Sequence, residues 1–312
     1  MMSNLIILIL VIILILVSVA FLTLFERKIL SYIHYRKGPN KVSIMGLLQP
    51  FSDALKLMSK EFFYPLKTNF ILYLLSPFLM FLLIMSMWLI YPFKMNLFNW
   101  NLNSLFFLCL LSMGVYGLML TGWSSNSCFS MIGSIRSIAQ SISYEITFSI
   151  SFLLNFFFMN SLNLNNLPLF QKYIWFMFFI WPSSLILLLS IMAELNRTPF
   201  DLSEGESELV SGFNIEYSSH SFVLIFLAEY ASILFMMYMF NLMYFCMNLM
   251  NFFFYMIIIM FIFFTVWIRV TLPRIRYDFL MFFCWIYMLP IILILFLIYM
   301  MLFKYPLEIF IM

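Results

Sequence analysis

Residues 5–22 carry no charged side chain and a single hydroxyl, Ser18. At about 1.5 Å per residue, a helix of that length nearly matches the roughly 30 Å hydrocarbon layer of a bilayer. The pattern recurs along the chain, with apolar stretches at about 5–30, 69–91, 103–121, 137–159, 173–193, 218–240, 251–268 and 280–303. In hydrocarbon every backbone polar group must be satisfied within the segment, so such stretches are helices. Charged residues make up 9% of the 312 residues, against roughly 25% in a soluble domain. The expectation is all-α: a polytopic membrane protein of about eight transmembrane helices, forming a single membrane domain over 1–312. Residues 5–22 read as its first retained span, because no basic segment precedes them and no small-residue cleavage site follows. Pro182 and Pro290 fall inside the fifth and eighth spans, where they predict kinks.

One segment departs from this pattern. Pro50 suits the first turn of a helix. Phe51, Ala54, Leu55 and Met58 then recur at i, i+3, i+4 and i+7, with Ser52, Asp53, Lys56, Ser59 and Lys60 opposite. That spacing predicts an amphipathic helix lying in the interface plane.

Charge fixes the orientation. Thirteen of the sixteen Lys and Arg fall in loops after the first, third, fifth and seventh spans; Lys94, Lys172 and Lys304 are the remainder. Basic loops stay on the side from which the chain is inserted, so both termini lie on the opposite side. The basic side also carries a charged segment, 26–67, and an acidic loop, 194–217. Glu194, Asp201, Glu204, Glu206, Glu208 and Glu216 stand in that loop against Arg197 alone. Crowded carboxylates raise one another's pKa, which suits proton transfer; a solvated acidic loop is the competing reading. Two further acids, Glu145 and Glu229, sit inside spans, where carboxylates mark ion or proton pathways or else lie protonated against a neighbouring helix.

A second constellation comprises Arg27, Asp53, Arg274 and Arg276. Beside an interfacial helix it would frame a lateral opening for a lipid-like molecule, although charged span ends also serve as ordinary interfacial anchors. Other chemistries have no support. His34 and His220 are the only histidines, and Cys109, Cys128, Cys246 and Cys284 lack metal-ligand spacing. No metal or cofactor is expected on this chain, nor any nucleic-acid surface. The residue usage, with 41 Phe and 27 Met against eight Gly, follows AT-rich codons and points to mitochondrial DNA.

Several long motifs resemble one family. They are ERKILSYIHYRKGPNKV at 26–42, QPFSDALKLMSKE at 49–61, GWSSNS at 122–127, IRSIAQSISYE at 135–145, the acidic loop at 193–214 and LPRIRYD at 272–278. Together they are similar to subunit 1 of the mitochondrial NADH–ubiquinone oxidoreductase, respiratory complex I. The resemblance implies a core membrane subunit of a proton-pumping enzyme, with no complete active site of its own. Its substrate would be ubiquinone, with flavin and iron–sulfur clusters on partner subunits. It further implies a quinone-access tunnel at Arg27, Asp53, Arg274 and Arg276. The proton path would run through Glu145, Glu194, Asp201, Glu204, Glu206 and Glu229. Partners would be the quinone-site subunits of the hydrophilic arm, neighbouring membrane subunits and lipids. The place would be the mitochondrial inner membrane, with basic loops in the matrix. Cys128 and His220 depart from the family's usual residues. The alternatives are a free-standing proton-coupled secondary transporter and the related membrane subunit of a proton-pumping hydrogenase.

Overall fold

The computed structural model describes residues 2–91, 100–202, 212–246, 249 and 251–311, with side chains described from Ile6 to Leu302 among them. The regular elements there are all helical: α1 (Met2–Ile33), α2 (Gln49–Ser59), α3 (Phe70–Met87), α4 (Asn103–Ser125), α5 (Cys128–Met159), α6 (Leu167–Phe170), α7 (Phe176–Phe179), α8 (Trp181–Glu194), α9 (Ser219–Phe245), α10 (Phe252–Thr271), α11 (Tyr277–Phe282) and α12 (Leu289–Ile311). Among the described residues, seven helices are long and apolar enough to cross a membrane. They correspond to seven of the eight expected spans. The fifth is present in a broken form.

That break has a local cause. Ile180 leaves helical geometry at φ −124°, ψ 35°, which ends α7. Pro182 then stands in the first turn of α8, where its missing N–H costs nothing. The proline therefore starts a helix; it does not kink one as expected. Over 14 residues, α8 extends about 21 Å, less than the hydrocarbon thickness. Pro290 acts differently. The turn just before it widens into π-helix, Phe283–Met288. This accommodates a ring that would otherwise meet the carbonyl four residues back.

The amphipathic segment forms α2 as expected, with Pro50 at its start. Eleven residues reach only about 16 Å, so α2 does not span. It lies against α1 and α9, and Phe51 meets Phe21 edge-on with ring centroids 6.0 Å apart.

Two helices are central. More than half of the crossing stretch is buried in α5 and α9, against a third or less elsewhere. α5 achieves this with serine. Ser130, Ser134, Ser137 and Ser141 follow one face and are all buried. Each hydroxyl is returned to the carbonyl three or four residues back, so a small polar side chain enters the interior with its donor satisfied. At Gly122 of α4, an added Cβ would lie 2.3 Å from the Ser134 Cβ. Small residues thus set the α4–α5 approach, as membrane helix interfaces require. In a chain with few Gly, serine fills that role. Asn126 and Asn160 close α4 and α5 in left-handed geometry, which asparagine tolerates better than most residues.

Candidate functional site

Glu26 lies on the buried stripe of α1. Ile15, Val19 and Leu22 precede it at helical spacing, and all four are less than a tenth exposed. A carboxylate there needs compensation, since desolvation strongly disfavours an unpaired charge. Three side chains supply it. The Arg269 guanidinium, at the end of α10, bonds Glu26 Oε1. Arg197 reaches the same oxygen at 3.5 Å. The Tyr230 hydroxyl of α9 donates to Oε2 at 2.5 Å. Arg197 also lies over the Tyr230 ring, 4.6 Å from its centroid, in cation–π geometry. Burial opposes the charge of Arg197, but Glu26, Tyr230 and Glu229 outweigh it and hold the guanidinium above its ordinary range.

Arg197 connects this cluster to a cavity of about 100 Å³. That is room for several waters. The walls come from α3, α4, α5, α9 and the turn after α8. Glu194, Arg197 and Glu229 meet in it, together with Asn196, Ser141 and Ser232. Glu194 is the last residue of α8, and its Oε2 is buried without a hydrogen-bond partner. The Glu145 charge on α5 acts on Glu194. A smaller cavity of about 20 Å³ touches Glu26, Arg197 and Arg269. Arg197 lines both spaces, so it links Glu194 and Glu229 to Glu26.

The structure thus brings Glu194 and Glu229 onto one cavity wall, while Glu145 on α5 acts on Glu194 through its charge without lining that cavity. Asp201 is buried, 5% exposed, and pairs with Arg274 at 3.4 Å. One residue assigned to the proton path is therefore bonded to one assigned to the tunnel. Arg27 pairs with Asp53, joining α1 to α2. Arg276 pairs with Asp278 at 3.0 Å, with both side chains exposed. Glu204 and Glu206 lie outside the described residues. Sequence reasoning missed Glu26, Arg197, Tyr230 and Arg269 as site residues. None of them left a sequence signal: α1 is apolar on every face before Glu26, so its buried stripe is visible only in the structure.

The stretch after the acidic loop is anchored separately. Tyr217 stacks on Tyr73 of α3, with centroids 4.4 Å apart. Its hydroxyl bonds Ser76 at 3.0 Å and Ser124 at 2.9 Å. Burial raises the Tyr217 phenol, so it stays neutral. His220 packs on Phe62 at 4.6 Å, and Cys128 opens α5. Among the described residues no group of three or more His, Cys, Asp or Glu is arranged to hold a metal.

These features define a polytopic helical membrane protein with a connected set of charged groups in its interior. Residues 6–300 match the family described as NADH dehydrogenase. The chain is 49% identical over 274 residues to NADH-ubiquinone oxidoreductase chain 1 of Aedes aegypti, covering 88% of each chain. The protein of that name from Locusta migratoria is 46% identical over 88% of each chain. The one from Phoca vitulina is 44% identical over 283 residues, which is 88% of this chain and 89% of the relative. The chain belongs to the NADH dehydrogenase family.

Proposed function

We propose that this chain, as a membrane subunit of an NADH–ubiquinone oxidoreductase, forms part of the quinone-access tunnel and the first stretch of the proton path. The observation that carries the reading is the cavity shared by Glu194, Arg197 and Glu229. Carboxylates beside a fixed guanidinium, with space for water, can exchange protons as the charge nearby changes. Ubiquinone enters from the bilayer beside α1 and α2, near the Arg27–Asp53 pair. Electrons come from partner subunits of the hydrophilic arm, whose flavin and iron–sulfur clusters supply the redox chemistry. Reduction of the quinone alters charge near Glu204 and Glu206. Asp201, held by Arg274, adjoins them in sequence. Protons then shift through Glu194, Glu145 and Glu229 toward neighbouring membrane subunits.

A large partner on the basic side is supported by apolar side chains stranded there. Tyr35 is fully exposed, and Ile44 and Met45 are about three-quarters exposed, in the connection between α1 and α2. A free-standing transporter would have little use for such a surface. The relatives' shared name, the apolar helices and the codon-driven composition support a site in the mitochondrial inner membrane, and the bias of Lys and Arg toward one set of loops supports basic loops in the matrix.

Replacing Glu194 or Glu229 with Gln, in a complex that still assembles, lowers quinone reduction or proton translocation on the order of tenfold or more. Wild-type rate and proton stoichiometry in both assembled variants would contradict the proton path.

A further inference from the structure

Gln140 of α5 is fully buried, and no step of the proposed path uses it. Its side-chain amide donates both hydrogens. One goes to the Ala193 carbonyl at 2.7 Å and the other to the Phe200 carbonyl at 2.8 Å. Both partners are acceptors, which fixes the orientation of the amide: the opposite rotamer would place three oxygens together. The Gln140 Oε1 is left buried without a partner. An unpaired buried oxygen is costly and calls for an explanation. Here the side chain is set entirely for its two donors.

Those donors close one short segment. Ala193 is in the last turn of α8, and Phe200 closes a turn on the Arg197 carbonyl early in the connection that follows. Between them lie Glu194, Asn196 and Arg197, all on the cavity wall. The two carbonyls already accept from Asn196 N at 3.1 Å and Leu202 N at 3.0 Å. Gln140 therefore adds little to the turn's internal bonding. What it adds is attachment to α5, which also carries Glu145.

We propose that Gln140 is a positioning residue: it clips both ends of the 193–200 turn to α5 and so sets where Glu194 stands relative to Glu145 and Glu229. It touches neither quinone nor a transferred proton; it acts through Glu194. Serine or alanine could not span the two carbonyls. Glutamate, when charged, would set an acceptor against both. The inference rests on the proposed proton path, because position matters only if Glu194 takes part in turnover.

The test uses the assembled complex with Gln140→Asn, which keeps the amide on a shorter stem, and Gln140→Met, which keeps the length without donors. NADH oxidation by a water-soluble acceptor serves as the control for the rest of the enzyme. Both variants are expected to lower the maximal rate with short-chain ubiquinone on the order of tenfold, since small misplacements of reacting groups have effects of that size or larger. The KM for quinone stays within about twofold. Combined with Glu194→Gln, either change adds less than about twofold, because both act through one carboxyl. Full turnover in both assembled variants would overturn the proposal, and so would losses that multiply with that of Glu194→Gln. Failure of both variants to assemble, while Glu194→Gln assembles, would make Gln140 a structural strut and also overturn it. Wild-type turnover in Glu194→Gln alone would instead bring down the proton path, and this inference with it.

Discussion

The two ends of the helix bundle hold their polar groups in different ways. At the basic side, charges face charges: Glu26 with Arg197 and Arg269, Asp201 with Arg274, and Arg27 with Asp53. At the other end the buried polar work falls to neutral amides. Gln171 donates to the Leu242 and Met243 carbonyls and accepts from Cys246 N at 2.9 Å, closing the end of α9. Asn241 donates to the Phe254 carbonyl at 2.8 Å, tying α9 to α10. Amides satisfy a helix end without introducing charge. Buried ions are more expensive, and replacing such pairs with apolar residues is often neutral or stabilising. Ions retained beside a cavity with room for several waters therefore point to function, whereas Gln171 at the opposite end is accounted for by the helix-end groups it satisfies.

Two substitutions sharpen the contrast. Arg197→Met should have the larger effect. It strips Glu26 of one partner and leaves Glu229 facing the cavity without its neighbouring guanidinium. Removing one member of a buried ion pair costs about 3–5 kcal/mol. The expected outcome is a complex that dissociates at distinctly lower temperature, read by native gel after graded heating, with little quinone reduction remaining. Gln171→Leu should have the smaller effect. Its loss leaves helix-end groups unpaired at about 1–3 kcal/mol, lowering the dissociation temperature modestly while turnover per assembled complex stays at the wild-type level. Normal turnover in Arg197→Met, or a turnover defect in Gln171→Leu, would erase the distinction between the two ends.

Much of the fold could be read from residue patterns. α2 was legible because Pro50 and the i, i+3, i+4, i+7 spacing act locally. The long spans were legible because hydrocarbon leaves the backbone so few alternatives. The break before α8 was not, because a proline in an apolar run kinks a helix or starts one according to how its neighbours pack. α5 also begins at Cys128, well before its apolar core. Its serines conceal their polarity by bonding their own backbone, which composition does not reveal. Glu145, Glu194 and Glu229 stood out as acids within or beside apolar spans; Glu26, beside Arg27 and Lys28, did not. Nor did their cationic and phenolic partners: Arg197 and Arg269 resemble ordinary residues at span ends, and Tyr230 an ordinary aromatic within α9. Gln140 was equally silent, because its role depends on two carbonyls more than fifty residues away in sequence.

The central claim is that the space between the acids matters as well as the acids. Gly114 of α4 lines the cavity, and a Cβ added there would meet nothing within 4 Å. Gly114→Leu would therefore fill the cavity while leaving every charged group in place. The measurement is proton translocation together with quinone reduction by the assembled Gly114→Leu complex in sealed vesicles. The account predicts normal assembly and normal NADH oxidation by a water-soluble acceptor, with coupled turnover reduced on the order of tenfold, as for a displaced catalytic group. Unchanged turnover and stoichiometry with the cavity filled would contradict it.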